Sequence, residues 1–488
     1  MAKRERMSSV DTAWLRMDTD HNLMMIVGVM MLDGKTTFER VRRTLKARLL
    51  GYRRFRQRVV LDPAGATWED DEHFDIDVHL RRHRLKQPAG QAELQAFVAS
   101  LASKRLDPAK PLWQFHLVEN YGAGSALVVR IHHCIADGIA LIGVMLSLTD
   151  ESAGAPVGRA AGRLPRDKAP PAGEQNVLEQ VFRPVSAAAM KAMQVSGNAW
   201  QKYVDLVANP GKAMDFAGLG AGIASELAKL ALMPADSPTR FKGKPGRTKR
   251  VAWSDPIPLD EVKAAGKALG CSVNDMLMAC AAAALRGYLA DRGDETDGVE
   301  VRALIPVNLR PPGSEQTLGN RFGLVALVLP VGMSNPLARL YEVNRLMQEL
   351  KGSFQAAITL GILGVVGLCP KPVQKQVLDM LGNKASAVMT NVPGPQKPLY
   401  FAGQRIAQQM FWVPQSGDIG MGLSILTYDG KVQIGLITDA GLVPDPEAIA
   451  ARFALEFERL LLAVLMEPWG ERRDPAQLEA ELAPLWRA

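Results

Sequence analysis

The stretch His132-His133-Cys134-Ile135-Ala136-Asp137-Gly138 decides how this chain is read. The run Ala126-Leu127-Val128-Val129-Arg130-Ile131 leads into it, mostly apolar and β-branched, as a buried strand is. Ile139-Ala140-Leu141-Ile142-Gly143-Val144-Met145-Leu146 follows and reads as the start of a buried helix. The two histidines therefore sit where a core strand stops and the chain turns, a usual place for chemistry on a rigid scaffold. Successive strand side chains point to opposite faces. If the strand persists through the pair, one histidine is free for chemistry and the other supports it. His133 shares the face of Leu127, Val129 and Ile131 and emerges among apolar groups. Such surroundings keep an imidazole neutral and able to take a proton from a hydroxyl. Asp137, four residues on, either orients a histidine or pairs with a buried arginine and holds the turn.

Length and composition bound the class. A chain of 488 residues, 47% of them hydrophobic, is expected to form two domains with substantial cores. Residues 1–150 alternate strands and helices, and Phe74–Leu80 alternates apolar and polar residues as a strand does. Residues 151–238 form a second part: an Ala-, Gly-, Pro- and Arg-rich linker, then a helical stretch broken at Asn209-Pro210-Gly211. A second α/β region fills residues 239–488. There Asp429-Gly430 between apolar runs signals a hairpin. Asp445-Pro446-Glu447 opens a helix whose stripe is Ile449, Phe453, Phe457, Leu460, Leu461 and Val464. Cys134, Cys271, Cys280 and Cys369 lie in apolar contexts without metal-ligand spacing and read as reduced thiols of a cytoplasmic protein. No signal peptide is expected, and Leu23–Leu32 is too short to span a membrane and reads as a strand. Ala356–Cys369 and Ala213–Met233 read as core helices, with peripheral contact to a lipid surface as the alternative. Gly218, Gly220 and Gly222 miss the dinucleotide-binding spacing, because Ile stands at 223.

The motif H-H-x-x-x-D-G resembles the signature of the CoA-dependent acyltransferase superfamily. Within it the chain is similar to the bacterial wax ester synthase/diacylglycerol acyltransferase family. The segments Pro111-Leu112-Trp113, Val273-Asn274-Asp275, Pro306–Pro311, Gly319-Asn320-Arg321-Phe322-Gly323 and Asn391-Val392-Pro393-Gly394-Pro395 agree with that family in type and order, from about residue 8 to 470. One corner departs: Asp18 stands where the family has a glutamate, and Leu23-Met24-Met25-Ile26 replaces its Pro-Met-His-Val. The resemblance implies an α/β (α+β) fold of two chloramphenicol-acetyltransferase-like domains. Each is a mixed sheet with flanking helices, joined by a helical crossover, with a tunnel between the two. CoA enters from one side and the lipid alcohol from the other.

The implied activity is O-acyl transfer from long-chain acyl-CoA to a long-chain alcohol, diacylglycerol or both. An alcohol is a poor nucleophile until a neutral imidazole removes its proton as the C–O bond forms. His133 is the expected base, His132 its support and Asp137 a structural orienter with Arg310 as candidate partner. The chain holds no G-x-S-x-G elbow, which agrees with direct transfer rather than an acyl-enzyme. Asn274 either donates to the oxyanion, positions a substrate or caps a helix; Asp275 is expected to cap. Gly138 is a further substrate-binding or oxyanion candidate, Asn391 shapes the channel wall, and Trp113 packs or lines the acyl channel. Acyl-CoA is a substrate, and no cofactor or metal is expected. The net charge of +7 gathers at Arg53–Arg58, Arg81–Lys86 and Arg240–Arg250, which suit solvent, CoA phosphates or an anionic membrane or lipid-droplet surface. No nucleic-acid motif accompanies them. Alternatives are a non-catalytic lipid-binding or droplet protein, a carrier-bound acyl donor, or the H-x-x-x-x-D chemistry of membrane glycerol-phosphate acyltransferases, whose transmembrane helices the sequence lacks.

Overall fold

The computed structural model describes residues 4–62, 65–155, 233–310, 318–351, 353, 355–366, 382–466 and 474–475. Along the first half run β1 (Arg4–Arg6), α1 (Ser9–Met17), β2 (Met25–Leu32), α2 (Phe38–Arg48), β3 (Gln57–Asp62), β4 (Gly65–Asp70), α3 (Ile76–His79), β5 (Leu80–His83), α4 (Gln91–Ala102), β6 (Trp113–Tyr121), β7 (Gly124–His132) and α5 (Gly138–Ser147). The second half holds β8 (Lys249–Trp253), β9 (Ile257–Pro258), α6 (Leu259–Ala268), α7 (Val273–Ala290), β10 (Val301–Asn308), β11 (Phe322–Leu329), α8 (Pro336–Lys351), α9 (Gln355–Val366), β12 (Ala387–Pro393), β13 (Tyr400–Phe401), β14 (Gln404–Trp412), β15 (Met421–Tyr428), β16 (Lys431–Asp439) and α10 (Glu447–Met466). The helical crossover expected within 151–238, with Ala213–Met233 and the Gly218–Gly222 run, lies almost wholly outside the described residues.

Two mixed sheets carry the fold. The first has the order β13-β14-β2-β7-β6-β5, antiparallel except for β5 with β6. The second runs β11-β10-β12-β15-β16-β8, with β9 also on β16, and is parallel at β10–β12–β15. The sheets do not part at residue 239, because β13 and β14 leave the second half and pair with β2 of the first. β7 is buried at every position, which is why it reads as a continuous apolar run. At its start Gly124 passes so close to the Leu32 carbonyl that a Cβ would overlap it.

One apolar core lies under α1, α2 and α5 in the first half. Another lies among α6, α7, α8 and α10 in the second, where Ile449, Phe453, Phe457 and Leu460 of the expected stripe are buried. A third joins the sheets along β2, β8 and β14, through Val27, Val29, Trp253 and Trp412. The β15–β16 turn is the expected hairpin, with Asp429 and Gly430 both at positive φ (49° and 72°).

Phe74–Leu80 is not a strand. Asp75 accepts from the Asp77 N–H at 2.9 Å and starts one helical turn, so the alternation Ile76, Val78 and Leu80 serves α3 and the first residue of β5. Among the described residues no single helix is long and apolar enough to cross a membrane. α9, which carries the described part of Ala356–Cys369, packs on β11 and α1.

Candidate active site

β7 ends at His132, and the alternation of faces carries through the pair. His133 lines a cavity of about 410 Å³ between the two sheets, and His132 does not. The His133 N–H donates to the Met24 carbonyl at 2.7 Å. Its ring stacks on Trp14 at 4.3 Å between centroids and leans on Phe322 at 5.5 Å. Burial lowers its pKa to about 4, against the opposing pull of Asp137, so the ring is neutral at physiological pH. His132 is pushed to about 3, again chiefly by burial and then by His133. Its Nδ1 accepts from the Cys134 N–H at 3.1 Å, which assigns the proton to Nε2, facing Asp18 Oδ1 at 4.0 Å. Its own N–H donates to the carbonyl of Leu112, in the Pro111-Leu112-Trp113 segment. Asp18 takes the Met24 N–H at 2.8 Å and Arg105 at 2.9 Å, so this corner ties the entry of β2 to the His132 side of the turn.

Asp137 has both oxygens engaged. Oδ1 caps α5 by accepting the Ala140 N–H at 3.0 Å, and Oδ2 accepts Arg310 Nη2 at 2.8 Å and the Arg321 N–H at 2.9 Å. Arg310 also donates to the Gly319 carbonyl. Of the two openings for Asp137, the structure takes the second: it pairs with Arg310 and holds the turn. The loop that supplies these donors bends through Gly319 at φ 107°, where a side chain is disfavoured.

The cavity wall carries Gly138, Asn274 and Asn391 together with Trp14, His133 and Phe322. Asn391 Nδ2 donates to Asn274 Oδ1 at 2.7 Å. Asn274 does not cap α7: the Ser272 hydroxyl accepts the Asp275 N–H at 3.2 Å and the Asp275 carboxylate returns to the Ser272 N–H at 2.9 Å. A smaller apolar cavity of about 100 Å³ shares Gly138, Val392 and Phe411 with the first and runs between Met30, Met145 and Met410. Trp113 lines neither. It is fully buried, donates from Nε1 to the Phe55 carbonyl at 2.8 Å and stacks on His79 at 4.4 Å, so it packs the core instead.

Four residues of the site carry no signal in the motif itself. Trp14 and Phe322 flank His133. Asn320 donates from Nδ2 to the His133 carbonyl at 2.8 Å and to Asp11 Oδ1 at 2.7 Å. Asn320 and Phe322 lay in the Gly319–Gly323 segment, whose role no local pattern gives. Several basic residues of the charged clusters are matched by acids, as in Arg53–Asp70, Arg54–Glu5 and Arg247–Asp20. Among the described residues no group of three or more His, Cys, Asp and Glu could hold a metal ion.

The wax ester synthase/diacylglycerol acyltransferase catalytic domain matches residues 7–277, and the C-terminal domain of the same family matches residues 318–461. A probable diacylglycerol O-acyltransferase of Mycobacterium tuberculosis is 26% identical over 91% of this chain and 93% of its own. The O-acyltransferase WSD of Acinetobacter baylyi is 25% identical over 78% of this chain and 80% of its own. The fold is similar to the wax ester synthase/diacylglycerol acyltransferase of Marinobacter aquaeolei VT8, with a TM-score of 0.66 at 19% identity over 94% of this chain and 99% of that one. It is also similar to the first condensation domain of the calcium-dependent antibiotic synthetase, with a TM-score of 0.58 at 16% identity over 96% and 98%. The two-domain mixed α/β fold and the acyltransferase function read from the sequence agree with these relatives, and the chain belongs to the wax ester synthase/diacylglycerol acyltransferase family.

Proposed function

We propose that this acyltransferase moves a long-chain acyl group from acyl-CoA directly to the hydroxyl of a long-chain alcohol or of diacylglycerol, with His133 as general base. The observation that carries the reading is the burial of a neutral His133 in the wall of a cavity of about 410 Å³, within the size range of ligand sites. His133 takes the hydroxyl proton as the alcohol oxygen attacks the thioester carbon. The tetrahedral oxyanion collapses, the C–S bond breaks, and the CoA thiolate recovers the proton from the imidazolium. Every atom and charge is accounted for without a metal or other cofactor. Asn274, beside Asn391 in the same wall, is the side chain suited to receive the oxyanion or orient the alcohol. Gly138, at the junction of the two cavities, leaves room for an alkyl chain. The exposed Leu455, Leu462, Leu465 and Met466 of α10 would favour peripheral contact with a membrane or lipid droplet.

The test is CoA thiol release from palmitoyl-CoA by purified protein with hexadecanol, with diacylglycerol and with no acceptor, repeated with His133→Ala. Acceptor-dependent release that falls roughly 10²–10⁴-fold in His133→Ala is expected, and the better acceptor names the product. No release from the wild type with either acceptor would reject an acyl-CoA donor.

A further inference from the structure

We infer that Asn320 is the positioning residue that sets the His133 imidazole, and that Asp11 fixes which way round the Asn320 amide lies; the inference rests on the reading of His133 as the base. Asn320 precedes β11 in the second half of the chain, yet its Nδ2 binds the His133 carbonyl at 2.8 Å and Asp11 Oδ1 at 2.7 Å. Its backbone N–H donates to that same Asp11 oxygen at 3.0 Å. An oxygen that accepts two N–H groups dictates the amide's orientation: the NH₂ faces Asp11, and the amide oxygen is turned away. All three residues are buried.

Two polar atoms of this cluster then remain buried without a partner, Asn320 Oδ1 and His133 Nδ1. The first only accepts, and the second donates or accepts according to tautomer. They are complementary when the proton sits on Nδ1, which leaves Nε2 bare. Against burial, the Asp137 charge raises the pKa of this ring most, then the His133 carbonyl and the Asn320 side chain. Asp137 acts on the ring through its charge but does not hydrogen-bond Nδ1, because its oxygens hold Ala140, Arg310 and Arg321. The arrangement follows the general pattern in which a base is itself oriented by a third group.

The experiment uses the full chain with palmitoyl-CoA and hexadecanol. It records kcat, KM, the melting temperature and the nitrogen-15 spectrum of histidine-labelled protein, with His133→Ala identifying the His133 signals. The wild type is expected to carry its proton on Nδ1. Asn320→Leu, close in volume, is expected to lose roughly tenfold to a hundredfold in kcat, a fraction of the general-base contribution, with KM nearly unchanged and the single tautomer lost. The wild-type spectrum is itself a test, and it serves even if Asn320→Leu does not fold. An unchanged tautomer in Asn320→Leu would overturn the inference. So would a wild-type His133 found with its proton on Nε2. Wild-type turnover in His133→Ala would instead remove the base reading; the spectrum judges Asn320 separately.

Discussion

Asp137→Asn tests whether this carboxylate serves the turn or the proton. In the wild type Asp137 and Arg310 are almost wholly buried and meet at 2.8 Å, with the Arg321 N–H on the same oxygen and the Ala140 N–H on the other. The amide preserves the shape and can still cap α5, but it removes the charge facing a buried guanidinium. Breaking one partner of a buried pair costs about 3–5 kcal/mol, a large share of the roughly 5–15 kcal/mol by which domains are stable. Asp137→Ala adds the loss of the cap, about 1 kcal/mol more. Arg310→Met combined with Asp137→Leu should recover most of the loss, because neither charge is then buried alone. Urea unfolding followed by tryptophan fluorescence measures these costs, and CoA release at a temperature where every variant is folded measures turnover. Asp137→Asn is expected to keep KM and to lose less turnover than His133→Ala. The assignment fails if Asp137→Asn unfolds like the wild type yet loses as much turnover as His133→Ala, for then Asp137 acts on the imidazole directly.

The pH dependence follows from the same burial. Both rings have folded pKa values below the ordinary 6.5, so the stability they contribute is fully present above that pH. It is lost as pH falls towards about 4 for His133 and about 3 for His132. Urea midpoints from pH 7 to 4 should fall less steeply in His133→Phe. The acid limb of kcat/KM should lie well below 6.5, and a limb at 6.5 would contradict a buried neutral base. Trp14→Ala should cost roughly 3–5 kcal/mol and lower kcat, since it empties the space beside the His133 ring, while Trp14→Phe should retain most of both by the same two assays. A Cβ on Gly138 meets no atom within 4 Å. Gly138→Leu should therefore fold, narrow the junction of the two cavities and lower kcat/KM more for long than for short substrate chains. A length-independent effect in a series of acyl-CoAs and alcohols would show that no chain passes there.

The sequence made His133 legible as the proposed base because strand, turn and helix lie within one short stretch, each with its own periodicity. Alternation separated His133 from His132, and the apolar face of Leu127, Val129 and Ile131 foretold the low pKa. The hairpin at Asp429-Gly430 was equally local. Apart from the Asp137–Arg310 pair, contacts between remote segments were not legible. Asp11 and Asn320 are 309 residues apart, and neither segment shows a pattern that only the other could complete. β14 joins β2 rather than the sheet of its own half, and its alternation would be the same in either place. Phe74–Leu80 failed for the opposite reason. Its alternation was real, but Asp75 capped a helical turn before a strand could form.

The position of His133 therefore depends on both halves. His133 and Asp137 stand between β7 and α5, but several groups that hold them come from beyond residue 300: Arg310 and the Arg321 N–H on Asp137, Asn320 on the His133 carbonyl, and Phe322 against its ring. The first half answers with Asp11 and Trp14 from α1. The cavity is walled by the same two halves, with Trp14 and His133 from the first and Asn274, Phe322 and Asn391 from the second. A movement that opened the seam would loosen the His133 turn at the moment it widened the cavity. On the proposed reading, an acyl chain in contact with both walls would oppose that loosening. Binding energy far from a reacting carbonyl can in this way help hold His133, the proposed base, in place.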